Sequence, residues 1–154
     1  MRLSNNFYLS EFTRSATAER LCIKNSPNND AIKNLIELCD NVLQPVRDII
    51  GPIRITSGFR HPDLCVALGS KKTSQHTMGM AADIQFHKNG FMNNKLLMDT
   101  IVQNCEFDQL IEEFSYSWIH VSFSCGNNRN QILKAFKEDG KTQYADITHN
   151  FKAI

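Results

Sequence analysis

The chain has 154 residues, which predicts one domain over 1–154. A domain of that size buries about 70% of the surface its unfolded chain exposes, so no metal or disulfide is needed merely to fold it. With 17 basic and 16 acidic residues interspersed and a net charge of +1, the sequence excludes a nucleic-acid footprint or a basic membrane-surface patch.

At the N-terminus, "LSEFTRSATAERL" predicts a short helix with Ser10 as its N-cap, and "NSPNND" a turn. Ile32, Leu35, Ile36, Cys39, Val42, Leu43, Val46 and Ile50 recur at helical spacing. Asn29 or Asp30 caps that helix, Gly51 ends it, and Pro45 should kink it near its last turn. "IRIT" (53–56) reads as a strand, 63–68 as a brief helix, "AADIQF" (81–86) as a strand and 93–104 as a helix. "FDQLIEEF" and "WIHVSF" read as two strands joined by a short loop at Ser115–Ser117. A helix near 128–137 follows, then a hairpin around "EDGKTQYADI" turning at Asp139-Gly140. Irregular alternation of helices and short strands predicts an α+β fold, a small antiparallel sheet with flanking helices.

The five cysteines are widely spaced with no C-x-x-C pair, which argues for reduced thiols rather than a disulfide framework or zinc ribbon. "MRLSNNFYLSEF" lacks an apolar run long enough for a signal peptide, and no stretch has the roughly 20 apolar residues of a membrane span. The expectation is synthesis in the cytoplasm.

In "WIHVSF", alternation turns Ile119, Val121 and Phe123 to the core and His120 to the opposite face. In "SQHTMGMAAD", His76 and Asp83 flank a segment of small residues, Gly79, Ala81 and Ala82, that allows tight folding and convergence. Two histidines and a carboxylate form a common three-ligand set for catalytic zinc, with a fourth position left for water whose pKa falls toward about 7. The His–Asp spacing is by itself of low specificity.

The pattern S-x-H-x-x-G-x-A-x-D, present as Ser74, His76, Gly79, Ala81 and Asp83, resembles the zinc motif of the D-Ala-D-Ala carboxypeptidase family of bacterial cell-wall metallopeptidases. "ITSGFR" (55–60) resembles its upstream motif and "WIHVSF" the strand carrying its last ligand. "LSEFTRS", "VLQPVRD" and "FDQLIEEF" are similar to phage- and prophage-type members, and the resemblance runs from about residue 3 to 146. It implies a hedgehog/DD-peptidase-like fold, Zn2+ on His76, Asp83 and His120, and hydrolysis of a D-Ala-D-Ala or L-Ala-D-Glu-type bond in the peptidoglycan stem peptide. Arg60 stands at the family arginine that contacts substrate or the developing oxyanion. Ser57 could bind substrate, orient Arg60 or cap a turn, and Gln75 could hydrogen-bond substrate or simply be solvated. His87 could approach the metal or lie exposed, and the basic Lys71 and Lys72 would suit an anionic substrate.

Many family members carry a carboxylate three residues before the last histidine, where this chain has Ser117. Serine cannot serve as the general base, so the candidates become Glu112 and Glu113. A two-residue turn at Ser115 and Tyr116 puts Glu113 on the face of His120; a three-residue turn puts Glu112 there. Glu113 is favoured, because similar phage-type sequences usually carry glutamate at its position. Gln109 and Ile111 would then line the site beside it, with Leu110 and Phe114 facing the core and Glu112 near water at the strand end. Two functions follow: a phage-type wall peptidase, acting after release or as a virion component, or a non-catalytic zinc module that binds cell wall or serves in a virion structure. The expected partner is a peptidoglycan peptide, with no nucleic acid; the sequence leaves oligomeric state open.

Overall fold

The computed structural model describes residues 1–151. Two short helices open the chain, α1 (Leu9–Thr13) and α2 (Ala16–Arg20). Ser10 lies inside α1, whose N-cap is Tyr8: the Glu11 side chain reaches back to accept the Tyr8 N–H at 2.9 Å. Ser15 caps α2 instead. α3 (Asn29–Leu38) is capped by Asn28, one residue before Asn29 and two before Asp30, the expected caps; its side chain accepts from Ala31 N–H. Its continuation is interrupted sooner than expected. A π-helical turn, Cys39–Leu43, precedes α4 (Gln44–Ile50), and Pro45 sits in the first turn of α4, where a missing N–H costs little. Gly51 ends α4 at φ 101°, a left-handed value that favours glycine.

The remaining elements alternate: β1 (Ile53–Ser57), α5 (Pro62–Ala67), a 3-10 turn Gln75–Met78, β2 (Ala81–Lys88), β3 (Phe91–Met92), α6 (Asn94–Asn104), β4 (Gln109–Glu113), β5 (Trp118–Ser122), β6 (Gln131–Glu138) and β7 (Lys141–Asp146). They form a mixed seven-stranded sheet among the described residues, in the order β1-β2-β5-β4-β6-β7 with β3 paired to β2. The fold is α+β, as the alternation predicts. Every pairing is antiparallel except β4 with β6.

β6 occupies the segment expected to be a helix. Ile132, Leu133 and Phe136 do fall at helical spacing, but the backbone pairs with β4 from Gln109↔Gln131 to Glu113↔Ala135 and continues through Asp139-Gly140 into the β7 hairpin. Ladder bonds to two strands outweigh a weak local preference.

Alternation along the strands gives the sheet two faces. Ile55, Ala82, Ile84, Leu110, Ile119, Val121 and Ile132 join Leu35, Leu38, Val42, Val46, Leu97, Met98 and Ile101 of the helices in one buried core. Asp83, Ile111, Glu113, Trp118 and His120 belong to the other face. Among the described residues no helix is long and apolar enough to cross a membrane.

Candidate metal centre and catalytic face

His120 on β5 pairs directly across the ladder with Asp83 on β2. His76 arrives from the 3-10 turn that leads into β2. That turn is closed by Gly79 at φ 70°, and a Cβ there would also stand 2.2 Å from the Ala31 carbonyl oxygen. The position therefore requires glycine twice, for its left-handed backbone and for its close approach to α3. Ala81 and Ala82, both fully buried, carry the chain from the turn into the sheet.

The three side chains converge. His76 Nε2 lies 3.2 Å from His120 Nδ1 and 3.4 Å from Asp83 Oδ1, and His120 Nδ1 lies 3.1 Å from the same oxygen. Donor atoms about 2.0–2.2 Å from a tetrahedral zinc sit about 3.3–3.5 Å from one another, so the observed spacings fit such an ion. The chemistry of the donors fits as well. His76 Nδ1 lies 2.7 Å from the Gly58 carbonyl oxygen; as the N–H donor there it leaves Nε2 a lone pair toward the cluster. Burial lowers the His76 pKa, which favours the neutral ring a metal needs. Burial works to raise Asp83, but the His76 and His120 rings outweigh it and hold the carboxyl well below the usual range.

A bulge in β1 brings in the next layer. The register shifts between Ile55 and Ser57, which sets Ser57 opposite Asp83 while the Thr56 hydroxyl donates to the Asp83 carbonyl. Arg60 then bonds two partners: its Nε donates to Ser57 Oγ at 2.9 Å and its Nη2 to Asp83 Oδ2. Ser57 thus orients Arg60, and Arg60 occupies the oxygen of Asp83 that does not face the histidines. Gln75 is engaged below, its amide donating to Asp108 Oδ2 at 2.7 Å. Asp108 is buried and also takes Arg129 Nε and Nη2 at 2.8 and 2.7 Å; these bonds, led by Arg129, depress its pKa. Asp108 so ties the His76 turn to the start of β4 and to the approach of β6. No short motif marks Asp108, and only the fold reveals its role.

The two glutamates separate by face. Glu113 pairs with Trp118 and Ile111 with His120, the same register that a Ser115–Tyr116 turn predicts, so Glu113 shares the face of His120. Burial raises its pKa to about 7, with opposing and reinforcing contributions from His120 and Asp83 that mark its closeness to the cluster. Glu112 points to the core side and is buried rather than at the water's edge. It accepts the Tyr116 N–H at 2.8 Å and faces Lys134 Nζ at 3.9 Å, and so holds the turn. Leu110 is in the core, but Phe114 is not: it enters the turn at φ 48° and packs 5.4 Å from the Trp118 ring. Ser117 donates to the Phe114 carbonyl. His87 and His149 are exposed, and His61 serves α5 as its N-cap. Lys71 and Lys72 are exposed.

A two-histidine, one-aspartate cluster, built on a glycine-closed turn and a cross-strand pair, is matched by a family model described as Peptidase M15 over residues 5–122. The chain belongs to the peptidase M15 family. M15 members are zinc peptidases, and the match includes every residue of the cluster together with Ser57, Arg60 and Glu113. No curated protein matches the chain. The M15 match stops at the end of β5, so β6 and β7 lie beyond it.

Proposed function

We propose that this M15 metallopeptidase hydrolyses a peptide bond in the stem peptide of peptidoglycan, at a D-Ala-D-Ala or L-Ala-D-Glu-type linkage. The observation that carries catalysis, rather than metal binding alone, is Glu113: a buried carboxyl on the face of the cluster, with its pKa raised to about 7. His76, Asp83 and His120 would hold the zinc, which supplies Lewis acidity toward the scissile carbonyl and makes water acidic enough to ionise near neutral pH.

The chain's own residues do the rest. Glu113 takes the proton of the attacking water and delivers it to the leaving amide nitrogen, the work for which a carboxyl near the operating pH is suited. Arg60 bonds the outer oxygen of Asp83 and so aims the other at the histidines, and its fixed positive charge favours the negative charge that develops on the carbonyl oxygen. Ser57 fixes Arg60. Gln75 spends its amide N–H on Asp108, leaving its carbonyl oxygen to accept from substrate.

The stem-peptide substrate and a phage or prophage origin are supported by the likeness of "LSEFTRS", "VLQPVRD" and "FDQLIEEF" to phage-type wall peptidases. On this reading the protein is made in the cytoplasm and reaches the wall after release or as part of a virion. Mass spectrometry of fragments released from defined muropeptides, with and without chelator, tests it: new amino termini at one stem linkage, abolished by chelation, are expected. Intact muropeptides alongside a fully zinc-loaded protein would refute it and leave a non-catalytic zinc module.

A further inference from the structure

One row of paired residues crosses the sheet beside the His76–Asp83–His120 cluster. Trp118 on β5 pairs with Glu113 on β4, Glu113 with Ala135 on β6, and Ala135 with Tyr144 on β7. Directly paired residues share a face, so Tyr144 stands on the face of Glu113 and His120. Strands lie about 4.8 Å apart, so the backbones of Tyr144 and Glu113 are about 10 Å apart, with only the methyl of Ala135 between them. Ala135 is itself fully buried beneath these side chains, so Tyr144 stands at the rim of the Glu113 carboxyl rather than across an open gap from it. Trp118, steadied by Phe114, bounds Glu113 on the other side. Tyr144 is 55% exposed, high for a large aromatic residue on a strand and not explained by the core. Partial burial, then the charges of Glu113 and Asp83, raise its phenol above the usual tyrosine value. The ring therefore lies close enough to feel the cluster, and its hydroxyl stays a donor at neutral pH.

We propose that Tyr144 is a substrate-binding residue, forming the outer wall of a groove over Glu113 whose inner wall is Trp118, and donating its hydroxyl to a carbonyl of the bound peptide. The inference rests on the peptidase reading above and extends it to the β6–β7 hairpin, outside the residues that the M15 model matches.

Trp118, the chain's one tryptophan, reports on the groove directly. The experiment titrates the zinc-loaded full chain with a synthetic stem pentapeptide containing both L-Ala-D-Glu and D-Ala-D-Ala linkages, following Trp118 fluorescence, and measures KM and kcat on the same peptide. Tyr144→Phe should weaken binding and raise KM about 3- to 10-fold, the size of one neutral hydrogen bond, with kcat within about twofold. Tyr144→Ala should weaken binding further. Gln143→Ala, on the opposite face of the same strand, should match the parent. Normal binding by both Tyr144 variants, when the parent binds, overturns the proposal and leaves the peptidase reading standing. Equal weakening by Gln143→Ala also overturns it, since the effect would then belong to the hairpin. A parent chain that neither binds nor cuts the peptide overturns the peptidase reading, and this proposal with it.

Discussion

Glu113 illustrates how much chemistry one side chain's surroundings can set. Its pKa rises from 4.5 to about 7 chiefly because it is buried. A cation held by His76, Asp83 and His120 pulls in the other direction, since positive charge nearby favours carboxylate. The acidic limb of the rate profile should therefore fall between about 4.5 and about 7, with hydrolysis increasing as pH rises and Glu113 ionises. Glu113→Gln keeps the size and removes the base. It should retain zinc, lose the limb and lower kcat about a hundredfold or more. Near-normal turnover by that variant would assign the base elsewhere. In the metal-free protein the same shift acts on stability: a carboxyl whose folded pKa is raised favours the fold below about 4.5, and that contribution is lost as pH rises through about 7. Denaturation midpoints of metal-free parent and Glu113→Gln proteins should converge at low pH and separate above it. The sequence could narrow the base to two adjacent residues because strand parity allows only one of them to face His120. It could not choose by parity alone, because the turn's length decides, and the left-handed run Phe114–Tyr116 is not written in any glycine.

At the scale of elements, the turn Gln75–Met78 sets the cluster. Gly79 closes it at φ 70° with the Ala31 carbonyl where a Cβ would stand. Gly79→Ala combines a left-handed backbone cost of about 1–2 kcal/mol with an overpacking cost of about 1–3 kcal/mol against backbone that cannot swing aside. Thermal or denaturant unfolding should show a loss of about 2–5 kcal/mol, and metal affinity should fall because His76 is displaced. An unchanged midpoint would mean that α3 can retreat. Elements with strong local signals are legible in the sequence: the periodicity of α3 and α4, the alternation of β5, the Asp139-Gly140 turn. Ser10 misleads as a cap because Glu11 does the capping from inside the helix. β6 misleads because Leu133, Ala135, Phe136 and Lys137 suit a helix locally, and only its position between β4 and β7 makes it a strand.

For the whole molecule, the decisive feature is that the metal cluster and the core lie on opposite faces of one sheet. The core is assembled from side chains of α1, α3, the π-helical turn, α4 and α6 against β1, β2, β4, β5 and β6, and it does not include the cluster residues. The cluster also has protein partners of its own: the Gly58 carbonyl for His76, Arg60 for Asp83, and Ser57 for Arg60. Asp83 is thereby spared the cost of an unpaired buried charge, which would otherwise make metal loss a folding problem. Removing the ion should accordingly abolish hydrolysis while leaving far-ultraviolet circular dichroism unchanged and unfolding cooperative, with the midpoint lowered only by the free energy of metal binding to the folded state. Elemental analysis should give one zinc per chain before chelation. His120→Ala should reproduce the chelated state, since it deletes one donor from the face opposite the core. It should bind little zinc and remain folded, with restored zinc in solution failing to restore activity. Unfolding of the parent on chelation, or of His120→Ala at any zinc concentration, would show instead that the ion completes the fold and that the two faces of the sheet are not energetically separate.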